Sequence, residues 1–348
     1  MMPLMWQVGL LATATAAPSC ETPPPRYAIS DATNIELALK THGYVILTGH
    51  DAGLPAENIT LGLPAKVFGG RLLSDGANTL HAVHDENEKM QAQFLERQAK
   101  CKESGNCADD LSSWSSSFAV NVNPLLPHTD GYVYGDHMPD MIFLHSEQVA
   151  ARGGENFVID GEAILSELLA SDPDAARLAR EATIDLTERM SAGGITTGRE
   201  AFGPLFRRRA DGTLWWRRQL KTRAYEQGVE QHADGRPSTV IKELQPYQSL
   251  WTPAGAGNNA TEAMLVAVDA AIQRATRDAP RFTLAPSESL LVDNYRMLHG
   301  REGYDAPEDG SEAALRKMWR VWCWTTRSDG LPEGVKEVGS PLEAEQLL

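Results

Sequence analysis

The chain contains several short apolar runs, and each of them ends at a glycine or a polar residue. Runs of this length that are rich in β-branched and aromatic residues predict strands rather than helices. The clearest is 42–49, His-Gly-Tyr-Val-Ile-Leu-Thr-Gly, which predicts a buried strand that ends at a glycine. Further strands are predicted at 139–147, 156–160, 282–284, 289–294 and 317–326.

Between these runs, helix-forming residues with apolar spacing predict helices. Asp160 is placed to cap one of these helices, and 205–220 predicts a hairpin that turns at 209–212. Strands that alternate and return, with helices gathered on the N-terminal side and in one insertion, predict a mainly β fold, an antiparallel barrel with helical cover. The predicted helices are 31–40, 80–102, 161–170, 175–182 and 260–275.

One domain between two tails is the predicted organisation. Residues 1–29 form the N-terminal tail, 30–330 a single domain with a helical and hairpin insertion at about 160–280, and 331–348 a C-terminal tail. The run 12–17 has the small-residue spacing of a signal-peptidase site, but no Lys or Arg precedes Arg26. Because a secretory signal begins with basic residues, we expect a cytoplasmic protein.

Charge and cysteine content exclude several functions. The 348 residues carry a formal net charge of −15, which argues against nucleic acid and anionic membrane surfaces as partners because both bind basic faces. No apolar run reaches the length needed to span a bilayer.

The four cysteines Cys20, Cys101, Cys107 and Cys323 include no CxxC pair, so a zinc ribbon is not expected. Cys101 and Cys107 are either free thiols or a local disulfide across a turn-like segment.

The chemistry centres on 126–131, where His128 and Asp130 stand two residues apart. In an extended strand, residues i and i+2 project to the same side. An imidazole and a carboxylate in one volume are a usual start to a divalent-metal site. The apolar run 290–298 leads to His299, a third candidate ligand. Two histidines and one carboxylate form the facial triad of non-haem iron(II) oxygenases.

Other interpretations of the same residues stay open at this point. His128 and Asp130 alone fit a hydrogen-bonded pair at a strand end equally well, and His299 alone fits a partly buried structural histidine. A metal hydrolase would hold zinc in the same three ligands and activate water, although no general-base motif stands out. A non-catalytic jelly-roll binding protein is the third class, and an intact set of three ligands argues against it.

Over residues 30–327 the sequence resembles the TauD/TfdA family. The run from Asp130 to Gly161 is most similar to the clavaminate synthase-like branch, whose members oxidise amino acids. The motifs that carry the resemblance are, in chain order, His128-Thr129-Asp130, Gly153-Gly154, Asp293-Asn294 with Arg296, His299-Gly300-Arg301, Arg316 and Arg320. The resemblance implies a double-stranded β-helix (jelly-roll, cupin-like) core.

This resemblance also implies an oxygenase that uses Fe(II), 2-oxoglutarate and O2. The reaction oxidises an unactivated C–H bond of a small amino acid or amino-acid-derived metabolite, and it is coupled to decarboxylation of 2-oxoglutarate to succinate and CO2. Hydroxylation is the usual outcome, and the sequence does not separate it from desaturation or ring closure. By the same resemblance, the iron ligands are His128, Asp130 and His299.

Three further site residues are carried over from the family. Arg316 is expected to bind the distal carboxylate of 2-oxoglutarate, because the planar guanidinium makes two parallel hydrogen bonds with a carboxylate. Asn156 stands where many relatives have a threonine that helps to bind 2-oxoglutarate. Arg320, four residues after Arg316 on the same strand face, is expected to hold a carboxylate of the substrate. The expected partner is therefore a small acidic molecule.

Overall fold

The computed structural model describes residues 23–51, 53–68, 72–74, 81–82, 125–186, 201–217, 225–231, 237–243, 252–253, 259–304 and 316–333. In this part of the chain the helices are α1 (Ala32–His42), α2 (Ala56–Phe68), α3 (Gly161–Ser171), α4 (Pro173–Glu181) and α5 (Asn259–Asp278), with a 3-10 helix at Tyr132–His137. The strands are β1 (Arg26–Ala28), β2 (Tyr44–Thr48), β3 (Leu72–Ser74), β4 (His81–Ala82), β5 (Leu125–His128), β6 (Met141–Gln148), β7 (Asn156–Asp160), β8 (Ile184–Asp185), β9 (Phe202–Gly203), β10 (Phe206–Arg208), β11 (Leu214–Trp216), β12 (Tyr225–Gln231), β13 (Pro237–Glu243), β14 (Thr252–Pro253), β15 (Ser289–Asp293), β16 (Met297–Arg301) and β17 (Lys317–Trp324).

Two sheets position the candidate site. The larger sheet has the strand order β1-β2-β15-β6-β17-β3, and β4 also pairs with β17. Its strand pairs are antiparallel, apart from the parallel pair β1 and β2. The smaller sheet has the order β5-β16-β7 and is antiparallel. The other strands form the pairs β10-β11 and β12-β13 and the small sheet β14-β8-β9.

A hydrophobic cluster joins the two main sheets. Ile46 of β2, Leu290 of β15 and Met318 of β17 share it with Val158 of β7 and Met297 of β16. Because one face of each sheet contributes to the same cluster, the sheets face each other across it. Side chains that project to this face from β7, β16 and β17 therefore point toward a common interior.

Helices cover the other faces of both sheets. Ile35 of α1 and Ile59 of α2 pack with Phe143 of β6 on the larger sheet. A third cluster packs α3, α4 and α5 against the outer face of the smaller sheet and against β11. The prediction of a mainly β fold with helical cover is confirmed, since strands form the centre and helices lie outside them.

Most predicted elements are present in the described residues. The predicted strands 42–49 and 317–326 correspond to β2 and β17, the hairpin to β10 and β11, and the helix 260–275 to α5. Asp160 caps α3 as predicted, because its Oδ1 accepts a hydrogen bond from the backbone N–H of Glu162 at 2.9 Å. Local sequence signals therefore specify these elements.

Two predicted boundaries were wrong. The predicted helix 80–102 starts instead with the strand β4, because His81 and Ala82 pair with Arg320 and Trp319 of β17. Pairing with a neighbouring strand outweighs local helix propensity there, and residues 83–102 lie outside the described part. Residues Arg26–Ala28, assigned to the N-terminal tail, form β1 in the larger sheet.

Cys20, Cys101 and Cys107 also lie outside the described residues, whereas Cys323 is a buried free thiol. Within the described ranges, no helix combines the length and apolar character needed to cross a membrane.

Candidate metal centre

Three side chains singled out in the sequence meet beside the smaller sheet. His128 ends β5 and pairs directly with His299 of β16, and Asp130 follows two residues after the end of β5. All three are buried, and one ligand atom from each lies within 4.8 Å of the others. Among the described residues, no other group of three or more His, Cys, Asp and Glu side chains has this geometry.

The hydrogen bond of His128 fixes which of its ring nitrogens can bind a metal. Its Nδ1 lies 2.7 Å from the carbonyl oxygen of Leu126, so Nδ1 carries the proton and donates. The other nitrogen, Nε2, lies 3.2 Å from Asp130 Oδ1. When the imidazole is neutral, Nε2 carries the lone pair, so this nitrogen and the carboxylate oxygen can bind one cation together. This arrangement fits a metal ion.

The charges of the other two side chains agree with that interpretation. Burial, followed by the nearby His128, lowers the pKa of His299 to about 3, so its imidazole is neutral at physiological pH. Burial favours a raised pKa for Asp130, but Arg320 and His128 outweigh it and hold the pKa far below its usual range. A neutral imidazole beside a permanent carboxylate is the protonation state in which these groups bind divalent metals.

Asn294, which follows β15, fixes the backbone at Asp130. Its side-chain Oδ1 accepts from the N–H of Asp130 at 2.9 Å. Its Nδ2 donates to the carbonyl oxygens of Asp130 at 2.9 Å and of Pro139 at 2.7 Å. Asn294 is fully buried. One amide therefore holds the segment that carries the carboxylate.

The second carboxylate oxygen of Asp130 is bound by two donors from β17. Trp322 Nε1 donates to Oδ2 at 2.7 Å, and Arg320 Nη1 donates to the same oxygen at 3.3 Å. Arg320 and Trp322 are two residues apart on a strand and so project to the same face. The Nε of Arg320 is buried and has no hydrogen-bond partner.

Gly131 allows the tight turn directly after Asp130. Its φ is 67°, in the left-handed region that glycine adopts without strain. A Cβ at this position would lie 2.5 Å from Cδ of Pro139. Any other residue would therefore displace the segment that carries Asp130.

Arg316 and Asn156, which the sequence assigned to 2-oxoglutarate, contact each other. Arg316 Nη2 donates to Asn156 Oδ1 at 3.1 Å. Asn156 pairs with Arg301 of β16, two residues along each strand from the pair of Val158 and His299. With a rise of about 3.3 Å per residue, Asn156 is displaced from His299 by roughly 7 Å along the sheet. A five-carbon dicarboxylate can bridge a gap of this order.

The surroundings of Arg316 favour an anion. Burial, followed by the nearby Arg301, lowers the pKa of Arg316 to about 9, so the guanidinium is still charged at neutral pH. Arg301 is itself buried and lies with Cζ 4.7 Å from the ring centre of Tyr304. Gly154 has a φ of 78°, and a Cβ there would contact Arg316 Cδ at 3.5 Å. The positive φ, rather than contact with the arginine, is what favours glycine at 154.

The sequence analysis did not assign a role to two residues that hold Asp130. Asn294 appears there only within the family motif Asp293-Asn294, because no local pattern signals its partner more than a hundred residues away. Trp322 was not singled out. Its position two residues after Arg320 on a predicted strand was a usable signal, because it places both side chains on one face.

Comparison with known proteins identifies the family. The sequence pattern that describes the taurine catabolism dioxygenase TauD, TfdA family matches residues 19–322. The chain belongs to this family. No protein with a curated description matches the sequence significantly.

Solved structures that are similar to this chain include a non-heme iron oxygenase, OrfP. A variant of the oxygenase OrfP in complex with (3S)-hydroxy-L-Arg has 14% identity and a TM-score of 0.50, over 89% of this chain and 85% of that one. Asparagine oxygenase (AsnO) has 13% identity and a TM-score of 0.47, over 85% of this chain and 78% of that one. PvcB from Pseudomonas aeruginosa has 14% identity and a TM-score of 0.49, over 85% of this chain and 80% of that one. At these identities the similarity to OrfP shows a common fold.

Proposed function

We propose that this member of the TauD, TfdA family is an Fe(II)- and 2-oxoglutarate-dependent oxygenase. Its substrate is a small amino acid or amino-acid-derived metabolite. The enzyme oxidises an unactivated C–H bond of this substrate. The observation that carries the proposal is the buried convergence of His128, Asp130 and His299 to within 4.8 Å.

The three converging residues are proposed to hold iron through two imidazole nitrogens and one carboxylate oxygen. Three protein ligands on one face leave the remaining positions of the ion open to co-substrates. Iron, when bound, would activate O2, the oxidant of the reaction, which the protein's own side chains cannot do. The chain's contribution is to hold these three groups buried and in the protonation state that binds a cation.

Arg316 is proposed to bind the distal carboxylate of 2-oxoglutarate, and Asn156 to orient that guanidinium. Support comes from the 3.1 Å contact between the two side chains and from the charge of Arg316 at neutral pH. A part-buried arginine that contacts a neutral amide keeps donors available for an anion. OrfP has been solved in complex with Fe and alpha-ketoglutaric acid, which agrees with this cofactor set.

Arg320 is proposed to contact a carboxylate of the substrate. Its Nη1 is engaged by Asp130 at 3.3 Å, while its buried Nε has no partner. A substrate carboxylate would satisfy that donor and would be held next to the iron ligands. OrfP in complex with (3S)-hydroxy-L-Arg provides a fold relative that binds an amino acid of this kind.

The fold that we propose around this site is a double-stranded β-helix. Two mainly antiparallel sheets that face each other across a shared hydrophobic cluster support it, as does membership of the family. The cytoplasmic location expected from the sequence stays a prediction.

A screen of amino acids for stimulated succinate release tests the function. Metal-free protein is supplied with Fe(II), 2-oxoglutarate, O2 and one amino acid at a time, and each product is analysed by mass spectrometry. The expected result is Fe(II)-dependent succinate from at least one acidic or amino-acid substrate, with a product that has gained one oxygen. A product that has lost two hydrogens would assign desaturation or ring closure instead. Failure of every amino acid and derivative to stimulate succinate release would refute the proposal.

A further inference from the structure

The indole of Trp322 is bonded to the carboxylate that the proposed iron site needs. Its Nε1 donates to Asp130 Oδ2 at 2.7 Å, which is shorter than the 3.3 Å contact from Arg320 to the same oxygen. Asp130 is 6% exposed, so water does not compete freely for that oxygen. Hydrogen bonds of this kind orient metal-binding carboxylates and tune their affinity.

The two oxygens of Asp130 have different surroundings. Oδ2 receives the N–H of Trp322 and the guanidinium of Arg320, whereas Oδ1 faces Nε2 of His128 at 3.2 Å. Since the His128 nitrogen is a proposed ligand, Oδ1 is the oxygen that would bind the metal. Oδ2 is turned toward β17 and its lone pairs are occupied by donors.

The position of the indole is itself fixed by packing. The ring centre of Tyr134 lies 6.2 Å from that of Trp322 at an interplanar angle of 76°, and the ring centre of Trp324 lies 6.3 Å away at 68°. The guanidinium carbon of Arg320 is 5.2 Å from the Trp322 ring centre. Edge-to-face aromatic contacts and a cation near the ring hold the N–H in one direction.

We infer that Trp322 is a positioning residue that keeps Asp130 a monodentate ligand. This inference rests on the proposed function. A carboxylate that binds through Oδ1 alone occupies one coordination position rather than two, and the position saved stays open to the co-substrates. A donor that holds Oδ2 away from the metal prevents the bidentate alternative. Because the indole is neutral, it holds Oδ2 without adding to the positive charge that Arg320 already places near the site.

The variant Trp322→Phe tests this role directly. Phenylalanine keeps an aromatic ring between Tyr134 and Trp324 but removes the N–H. The matched control is Trp324→Phe, which removes the indole N–H of a buried neighbour on the same strand that donates to His137 O at 2.8 Å. Binding of Co(II) to the metal-free proteins is measured by calorimetry, and the visible spectrum of bound Co(II) reports its coordination.

The expected result is specific to position 322. Trp322→Phe binds Co(II) roughly 10- to 100-fold more weakly than wild type and shows a changed Co(II) spectrum, as expected when a hydrogen bond to a ligand is lost. Trp324→Phe keeps both the affinity and the spectrum of wild type. An unchanged affinity and spectrum in Trp322→Phe would overturn the inference and leave the proposed function standing. Equal changes in both variants would also overturn it, since they would indicate a general packing effect.

Two further outcomes of the Co(II) experiment also bear on the inference. Wild-type protein that fails to bind Co(II) would overturn the proposed metal site and this inference together. If Trp322→Phe does not fold, 3-benzothienylalanine at position 322 keeps the size of the indole and replaces its N–H by sulfur. The same affinity and spectrum then decide the role of the N–H.

Discussion

The side-chain amide of Asn294 pairs with the backbone of Asp130 through two hydrogen bonds, both of 2.9 Å. Asn294 follows β15 in the larger sheet, and Asp130 follows β5 in the smaller one. A third bond, from Asn294 Nδ2 to Pro139 O at 2.7 Å, extends the same contact. The amide therefore couples the larger sheet to the proposed iron ligand.

Replacement of Asn294 by alanine is expected to lower the free energy of unfolding by roughly 2–5 kcal/mol, because it leaves buried backbone groups unpaired. Urea denaturation measures this change. The control is Asn34→Ala, which removes an amide that is only part-buried and bonded to Asp31, and it should cost about 1 kcal/mol or less. Equal losses in the two variants would contradict the role assigned to Asn294.

Asn156→Asp is expected to weaken binding of 2-oxoglutarate. The carboxylate would sit where Asn156 Oδ1 now accepts from Arg316 and would form an ion pair with it. Because charge-assisted hydrogen bonds contribute about 1.5–3 kcal/mol, the competition should lower affinity roughly tenfold or more. Asn156→Thr, which keeps a neutral acceptor, serves as control and should bind nearly as well as wild type. Calorimetry with Mn(II)-loaded protein measures both, and wild-type affinity in Asn156→Asp would show that the co-substrate lies elsewhere.

Arg316, which directly precedes β17, and Arg320, which lies on it, are expected to bind different ligands. Arg316→Lys should weaken the binding of 2-oxoglutarate roughly 10- to 100-fold, because lysine cannot make two parallel hydrogen bonds with a carboxylate. Pyruvate, which has no distal carboxylate, should bind both proteins equally. Arg320→Lys should keep the affinity for 2-oxoglutarate once metal is saturating and should raise KM for the amino-acid substrate. The opposite pattern in a direct binding assay would mean that the two roles are exchanged.

Arg327 is expected to be needed for stability rather than activity. It donates to both carboxylate oxygens of Asp293 at 2.6 and 2.7 Å and lies 3.4 Å from Asp140, which is fully buried. Removal of one partner of a buried ion pair costs about 3–5 kcal/mol, so Arg327→Leu should lower the free energy of unfolding by this amount. Arg177→Leu, which breaks an exposed pair on α4, should change it by less than about 1 kcal/mol.

The loss of unfolding free energy in Arg327→Leu is expected to depend on pH. Burial raises the pKa of Asp140, and Arg327 opposes that rise. With Arg327 present, the folded state already binds a proton at Asp140 more readily than the unfolded state, and loss of Arg327 raises the pKa of Asp140 further. The variant therefore gains more stability than wild type as pH falls toward the raised pKa. The deficit of Arg327→Leu relative to wild type should therefore shrink between about pH 7 and about pH 5 in urea denaturation. A constant deficit would indicate that Asp140 is not the group left uncompensated.

Local pattern predicted much of the fold and the site. Strands such as β2 and β17 and helices such as α5 carry their own periodicity. The two-residue spacing of His128 and Asp130 predicted that their side chains share one volume, although Asp130 lies in the turn after β5 and not on the strand. The strand β4 could not be predicted, because its partner β17 lies more than two hundred residues away. The roles of Asn294 and Trp322 were missed for the same reason, since their contacts with Asp130 exist only after the two sheets come together.

Anaerobic titration with Fe(II) and 2-oxoglutarate is the most direct test of the central claim. It is carried out on wild type, on His299→Ala, and on His50→Ala as a histidine variant outside the three converging residues. The account predicts that wild type and His50→Ala bind one equivalent of Fe(II) and develop a visible charge-transfer band on addition of 2-oxoglutarate, and that His299→Ala does neither. Fe(II) binding and the same band in His299→Ala would contradict it.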